Sequence, residues 1–153
     1  MRKVSLLLIA LSLIHLALAQ QGNTYNFNLN HIAISVKDVN RSAEFYRRVL
    51  KLGEITNRSK LEGVRWFSLG EGKELHLISI VKSEMITNKA LHLALTTTDF
   101  DEFVRNLDSL HLEYSDWAGT AHKLNIRADG IKQAFFQDPD GYWIEVNSVG
   151  KKD

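Results

Sequence analysis

One pattern occurs twice in this chain and limits its fold more than any other feature. Residues 30–36 alternate between polar or small side chains and branched apolar ones. A period of two is typical of a strand with one buried face. Residues 91–96 repeat the alternation, and His92 lies 61 positions after His31. Each of these strands is followed by an apolar stripe with helical spacing, so the sequence predicts two strand–helix units of similar design.

Three further strand-like segments follow each predicted helix. The last two are joined by a turn, at residues 70–73 in the first half and at residues 138–141 in the second, where Pro139 suits the second position of a type I turn. The order βαβββ therefore occurs twice, which favours a duplicated module because a solenoid needs at least about three repeats. Two unrelated α+β halves that look alike by chance are the alternative. The predicted strands cover residues 54–56, 64–69 and 75–81, then residues 111–114, 131–137 and 142–148.

The first residues have the features of a secretory signal peptide. Arg2 and Lys3 precede a nearly unbroken apolar stretch over residues 4–19, which ends in small side chains. This stretch is shorter than the roughly 20 apolar residues that span a bilayer, and an uncleaved anchor is the alternative. We expect cleavage after Ala19 and a secreted or periplasmic protein with no stable membrane association. The predicted organisation is a signal peptide at 1–19, a flexible lead-in at 20–28 and one domain at 29–149, with modules at about 29–82 and 90–149.

The composition excludes several kinds of site. Cysteine is absent, which rules out disulfide scaffolds, thiolate metal sites and cysteine nucleophiles. Lys plus Arg number 19 and Asp plus Glu number 18, with no run of like charges, so nothing recruits nucleic acid by charge. Any bound metal must therefore be held by His, Asp or Glu side chains.

Four metal-capable residues stand at matching points of the two modules. His31 and His92 lie on the first predicted strands, and His76 and Glu145 lie on the last ones. The opposite faces of these strands are apolar, so the four side chains are predicted to share an inner, cavity-facing surface. A single strand histidine is more often structural than metal-binding. Four such residues at equivalent points predict a site for one divalent ion, namely Zn, Ni, Mn, Co or Fe.

Three segments carry a family resemblance: residues 30–36 (NHIAISV), residues 38–46 (DVNRSAEFY) and residues 136–146 (FQDPDGYWIEV). In this order and spacing they resemble the vicinal oxygen chelate superfamily, the group of glyoxalases, bleomycin- and fosfomycin-resistance proteins and extradiol dioxygenases. The likeness covers about residues 29–149. It implies an α+β fold of two βαβββ modules whose mixed sheet curls around a cleft, with the metal ion at the base of the cleft.

The resemblance also implies roles for the four candidate ligands. Glyoxalase I-like members carry His or Gln at the position of His31, Glu at that of His76, His at that of His92 and Glu at that of Glu145. This chain departs at His76, which leaves Glu145 as the only matching carboxylate for proton transfer. Fosfomycin-modifying members use a His, His, Glu triad that His31, His92 and Glu145 reproduce, but their basic substrate-clamping set has no clear counterpart here.

These features predict a metal-dependent lyase or isomerase that acts on a small oxygen-bearing substrate chelated to the ion, with Glu145 as the catalytic base. The ion stabilises negative charge that develops on the substrate oxygens. A sequestering protein of the bleomycin-resistance type is the alternative, and an Fe(II) extradiol-type dioxygenase is a third. A homodimer is expected, and the cleft can form within one chain or from modules exchanged between two. The residues expected to bind substrate are Tyr46, Arg65, Trp66, Arg127, Phe136 and Trp143.

Overall fold

The chain folds into two modules of the same element order. The computed structural model describes residues 27–81 and 86–150, so the predicted signal peptide and most of the lead-in lie outside the described residues. The first module contains β1 (His31–Ser35), α1 (Val39–Val49), β2 (Glu54–Ile55), β3 (Val64–Gly70) and β4 (Lys73–Ile78). The second contains β5 (His92–Thr96), α2 (Phe100–Ser109), β6 (Asn125–Ile126), β7 (Lys132–Gln137) and β8 (Trp143–Asn147).

Each module forms a mixed four-stranded sheet. The strand orders are β1-β4-β3-β2 and β5-β8-β7-β6, with the first and last strand of each module parallel and the other pairs antiparallel. The predicted α+β architecture of two βαβββ modules is therefore confirmed. Within the described residues the two sheets are not joined by strand pairing, and β1 and β5 each lie at a sheet edge.

The first helix covers one face of the first sheet. Asp38 caps α1 because its side chain accepts hydrogen bonds from the backbone N–H groups of Asn40 and Arg41. Ala43, Tyr46 and Val49 recur at helical spacing and are buried. The helix therefore packs its apolar stripe against β3 and β4, and the opposite face of that sheet is left for polar side chains.

An apolar core connects the two modules. The ring of Phe136 on β7 lies 6.4 Å from that of Phe45 on α1 and 5.9 Å from that of Phe103 on α2, measured between centroids. Ile144 on β8 is fully buried in the same cluster. Burial of large apolar side chains from both halves stabilises their relative position.

The turn between β7 and β8 adds polar contacts between the modules. Asp138 accepts a hydrogen bond of 2.9 Å from the Tyr46 hydroxyl, and Asp140 accepts one of 3.0 Å from the Ser42 hydroxyl. The Tyr142 hydroxyl donates to the carbonyl oxygen of Ser35 at 2.8 Å. The turn thus closes a hairpin in the second module and binds β1 and α1 of the first.

One predicted strand is wrong. Residues 111–114 do not form a strand, because the chain first completes the end of α2: the N–H groups of His111 and Leu112 donate to the carbonyls of Asp108 and Leu107. His111 takes a positive φ of 51° and reverses the chain direction. Only Ser115 reaches β7, through an isolated bridge to Phe135, and the short β6 takes the edge position.

Among the described helices, none has the length and apolar character needed to cross a membrane.

Candidate metal and substrate site

Strand register places the four candidate ligands at equivalent points of the two modules. His76 on β4 pairs with Ala33, two residues beyond His31 on β1. Glu145 on β8 pairs with Ala94, again two residues beyond His92 on β5. Because neighbours such as Leu75, Leu77, Ile144 and Val146 point into the core, these four side chains lie on the opposite faces of the sheets.

In the second module the two candidate ligands face each other directly. His92 Nε2 lies 3.3 Å from Glu145 Oε2. His92 Nδ1 lies 2.8 Å from the carbonyl oxygen of Lys89, and Glu145 Oε1 accepts a hydrogen bond of 2.8 Å from the amide of Asn147. Each side chain is therefore oriented by a second contact on its far side.

This arrangement favours a cation between the two groups. The Lys89 carbonyl can only accept, so the proton of a neutral His92 ring sits on Nδ1 and the lone pair remains on Nε2. The Nε2 lone pair then faces a carboxylate oxygen, and the two repel unless a proton or a metal ion lies between them. Two ligand atoms about 2.1 Å from one tetrahedral ion lie about 3.4 Å apart, close to the observed separation.

In the first module the corresponding residues form a stack. The rings of His31 and His76 are parallel within 12° with centroids 4.4 Å apart, and the Trp66 ring stacks on the other side of His76 at 4.0 Å. The guanidinium of Arg58 covers Trp66 at 4.5 Å. Because ring faces rather than ring nitrogens are in contact, His31 and His76 need a rotation to share one ion.

Glu74 holds His76 within this stack. His76 Nε2 lies 2.8 Å from Glu74 Oε2, and Arg58 Nη2 donates to both carboxylate oxygens at 2.7 and 2.9 Å. These contacts lower the pKa of Glu74, the hydrogen bond with His76 first and that with Arg58 second. The indole Nε1 of Trp66 is buried without a hydrogen-bond partner in the described part of the chain.

The four residues do not form one metal-binding group within a single chain. Among the described residues, no cluster of three or more His, Asp or Glu side chains is arranged to hold an ion. The structure instead brings the four residues together as two pairs, which we call half-sites: His31 with His76 on the first sheet, and His92 with Glu145 on the second.

Of the predicted substrate-binding residues, Trp66 and Trp143 lie on the same faces as the half-sites. Trp66 pairs with His76, and Trp143 pairs with His92. Trp143 also borders two cavities, one of about 320 Å³ between β1 and β5 and one of about 250 Å³ beside Ser115 and Phe135. Trp143 therefore lines open space beside the second half-site, whereas the Trp66 ring is covered by His76 and Arg58.

The other four predicted substrate-binding residues lie elsewhere. Phe136 packs in the core, and Tyr46 is almost fully buried with its hydroxyl on Asp138, although it also borders the larger cavity. Arg65 binds the Glu54 carboxylate, with Nε and Oε1 2.7 Å apart. Arg127 binds Asp129 at 2.7 Å in an exposed turn. Their side chains are thus occupied by packing or by ion pairs away from the half-sites.

Three residues near the half-sites were given no role in the site by the sequence analysis. Glu74 and Asn147 each lie two positions from a candidate ligand on the same strand face, a spacing that would have shown them. Lys89 had no such signal, because it precedes β5 and its carbonyl oxygen meets the His92 ring only in the folded chain.

Two similar modules, each with a pair of metal-capable side chains on one sheet face, define the class of paired βαβββ proteins. A sequence model of the Glyoxalase/Bleomycin resistance protein/Dioxygenase superfamily matches residues 28–146. The chain belongs to this superfamily, whose members act on small molecules and typically use a divalent metal.

Individual relatives are distant. Glyoxylase I 4 of Arabidopsis thaliana is 25% identical over 127 residues, which cover 78% of this chain and 69% of that protein. Metallothiol transferase FosB of Staphylococcus saprophyticus is 26% identical over 127 residues, covering 79% of this chain and 76% of that protein. The solved structure of oxidase ChaP-H2 has a TM-score of 0.67 at 22% identity and covers 81% of this chain and 94% of that one. At this identity the structural likeness establishes the fold.

Proposed function

We propose that this protein is a metal-dependent enzyme, a glyoxalase-like lyase or isomerase that acts on a small oxygen-bearing substrate. The observation that carries the proposal is the 3.3 Å approach of His92 Nε2 and Glu145 Oε2, with each group oriented by another residue. Its similarity to Glyoxylase I 4 and to the metallothiol transferase FosB supports metal-dependent chemistry on small molecules.

In this proposal the second half-site holds one divalent ion, Zn, Ni, Mn, Co or Fe. His92 binds through Nε2, because its Nδ1 is committed to the Lys89 carbonyl. Glu145 binds through Oε2 and is the candidate base that accepts a substrate proton, while Asn147 keeps its other oxygen in place. When bound, such an ion supplies Lewis-acid stabilisation of negative charge on substrate oxygens.

The first half-site completes the metal site in a homodimer. His31 and His76 of one chain would meet His92 and Glu145 of the other, because the described chain does not gather three ligands by itself. Leu29 and Leu91, which precede the edge strands β1 and β5, are 57% and 67% exposed and would be covered in such a dimer.

Metal content tests the proposed site. The purified chain is stripped with a chelator, reloaded separately with each of the five ions, and freed of excess metal before elemental analysis. We expect stoichiometric metal in the wild type and loss of metal in His92→Ala and Glu145→Gln. Glu62→Gln is the matched control, since Glu62 is exposed in a turn. Equal, negligible metal in all of these proteins would contradict the enzyme and favour a sequestering protein.

Complementation tests whether the site is shared between chains. His31→Ala and Glu145→Ala variants, each expected to lack metal, are unfolded together and refolded as a mixture. If modules of two chains form each site, half of the dimers carry one intact site, and about a quarter of the wild-type metal content returns. A mixture that binds no metal would contradict the shared site.

The proposed export of the protein rests on the apolar stretch that follows Arg2 and Lys3. Expression in a host with a secretory pathway, followed by mass spectrometry of the secreted chain, tests it. We expect a chain that begins at Gln20, and an intact Met1 in the cell interior would contradict the proposal.

A further inference from the structure

The cavity of about 320 Å³ lies between the two modules, and we call it the inter-module cavity. Ile32 and Ile34 line it from the first module, and Leu91 and Leu93 line it from the second. Its volume lies at the lower end of the range for small-molecule sites and corresponds to about ten water molecules in the liquid. The inter-module cavity is therefore large enough for a ligand group of several carbon atoms.

The hydroxyl groups of the residues around this cavity already donate to other groups. The Tyr46 hydroxyl donates to Asp138 at 2.9 Å. The Tyr142 hydroxyl donates to the Ser35 carbonyl at 2.8 Å, and the Ser35 hydroxyl donates to the Val81 carbonyl at 3.2 Å. Among the described residues that line the cavity, none is Asp, Glu, Lys or Arg. A charged ligand group would lose water here without gaining an opposite charge, so the cavity favours an uncharged, apolar group.

The inter-module cavity is continuous with the second half-site. His92, a proposed metal ligand, is one of the residues that line it. Trp143, the strand partner of His92, lines it as well. A substrate held beside His92 would therefore have this apolar space next to it.

We propose that the inter-module cavity is a subsite for an uncharged hydrocarbon group on the substrate of the His92–Glu145 pair. The inference rests on the proposed function and adds the substrate class to it. The substrate would carry chelating oxygens at one end and an alkyl chain of about six carbon atoms at the other, which the cavity volume accommodates. Removal of this chain from water between Ile34 and Leu93 supplies binding free energy.

Probes with the same chelating end and different chains test the subsite. 2-Hydroxyoctanoate carries a hexyl chain, lactate carries only a methyl group, and 2-hydroxyoctanedioate has a carboxylate in place of the terminal methyl of the longer chain. Each is titrated into the metal-loaded protein by calorimetry. We expect 2-hydroxyoctanoate to bind at least about tenfold more tightly than lactate, because each buried methylene adds to the affinity. 2-Hydroxyoctanedioate should lose most of this gain, because its second carboxylate finds no opposite charge.

A crystal structure of the metal-loaded protein with 2-hydroxyoctanoate locates the chain. We expect the hexyl group between Ile34 and Leu93, in contact with both side chains. A hexyl group that lies outside the inter-module cavity would contradict the subsite.

Two leucines of β5 provide a matched pair of variants. Leu93→Ala removes part of the cavity wall and should lower the affinity for 2-hydroxyoctanoate about fivefold while that for lactate stays the same. Leu95→Ala is the control, because Leu95 is also half-buried but packs against the apolar core, and it should retain the wild-type ratio of affinities. Leu93→Val makes the same test with a smaller change if Leu93→Ala does not fold. Metal content and the unfolding midpoint are measured for every variant.

The outcomes distinguish this inference from the function on which it rests. If the wild type holds metal but binds 2-hydroxyoctanoate no more tightly than lactate, or if Leu93→Ala keeps the full difference, the subsite is wrong and the metal site stands. If neither the wild type nor Leu95→Ala holds any of the five ions, the proposed function is wrong and the inference falls with it.

Discussion

The hydroxyl of Tyr46 in the first module donates a hydrogen bond of 2.9 Å to the buried carboxylate of Asp138 in the second. The other oxygen of Asp138 accepts the backbone N–H groups of Asp140 and Tyr142, so the same side chain shapes the β7–β8 turn. Burial raises the pKa of both Tyr46 and Asp138. The relative position of the modules therefore depends on a polar pair in apolar surroundings.

The raised pKa of Asp138 predicts a pH dependence of stability. Burial is its main cause, and hydrogen bonds from Tyr142 and Tyr46 oppose it only in part. The folded state therefore binds the proton more tightly than the unfolded state does. Between the ordinary and the raised pKa, the contribution of Asp138 to the free energy of unfolding falls as pH rises.

Asp138→Asn should remove this contribution. The amide keeps an acceptor for the two turn N–H groups but does not titrate. The free energy of unfolding of the variant minus that of the wild type should therefore increase as pH rises through that window, because only the wild type loses stability there. Denaturant unfolding at several pH values measures the difference. A difference for Asp138→Asn that stays constant across this window would contradict the prediction.

Removal of the Tyr46 hydroxyl should weaken the contact between modules. Tyr46→Phe keeps the packing but leaves an oxygen of Asp138 without its side-chain donor, so we expect the free energy of unfolding to fall by about 1–3 kcal/mol. Tyr142→Phe should cost less, since its hydroxyl donates to a neutral carbonyl in a part-buried position. Chemical denaturation measures the loss of stability in both variants. Equal losses would show that the hydrogen bond to the buried carboxylate stabilises the fold no more than the one to the neutral carbonyl.

Local sequence patterns predicted the repeated modules because a period of two or of 3.6 is a property of the segment itself. The matching positions of His76 and Glu145 followed from the same alternation, and their strand registers are equivalent. The failed strand at residues 111–114 depended on how α2 ends, since its backbone N–H groups close the helix instead of pairing with a strand.

The surroundings of the site were harder to predict than the positions of its strands. Phe135 and Phe136 are adjacent and equally apolar, and only the pairing of Phe135 with Glu145 shows which one lies on the half-site face. Lys89 lies between the modules in sequence, and the position of its ammonium group depends on contacts with Ser115 and Trp143, far along the chain. Such contacts between distant segments leave no local periodicity.

Asn147 is predicted to act as a positioning residue for Glu145. Its amide donates to Glu145 Oε1 at 2.8 Å and leaves Oε2 directed at His92. Asn147→Ala should weaken metal binding by about tenfold or more, because loss of an orienting partner typically costs this much, while excess metal should still fill the site. Metal titration with a competing chelator measures the affinity. Asn40→Ala, on the exposed first turn of α1, should leave it unchanged, and an unaltered affinity in Asn147→Ala would exclude the positioning role.

Two glycines separate the cost of backbone conformation from the cost of a steric clash. Gly63 and Gly72 have nearly equal positive φ values of 74° and 73°, in the region that L side chains rarely adopt. A Cβ on Gly63 would lie 2.9 Å from Ile80 Cγ2 and 2.9 Å from Ser79 Oγ, whereas a Cβ on Gly72 meets nothing within 4 Å. Both alanine substitutions should therefore lose about 1 kcal/mol for the conformation, and only Gly63→Ala should lose more.

The additional loss in Gly63→Ala has a specific structural cause. The carbonyl of Gly63 accepts hydrogen bonds from both the N–H and the hydroxyl of Ser79. A clash at Gly63 would push the segment that follows β4 away from Gly63 and weaken both hydrogen bonds. We expect Gly63→Ala to be less stable than Gly72→Ala by about 1 kcal/mol or more in denaturant unfolding. Because His76 lies three residues before Ser79, hydrogen exchange should also show faster opening at the end of β4 in Gly63→Ala alone. Equal stability of the two variants would mean that residues 79 and 80 move aside without cost.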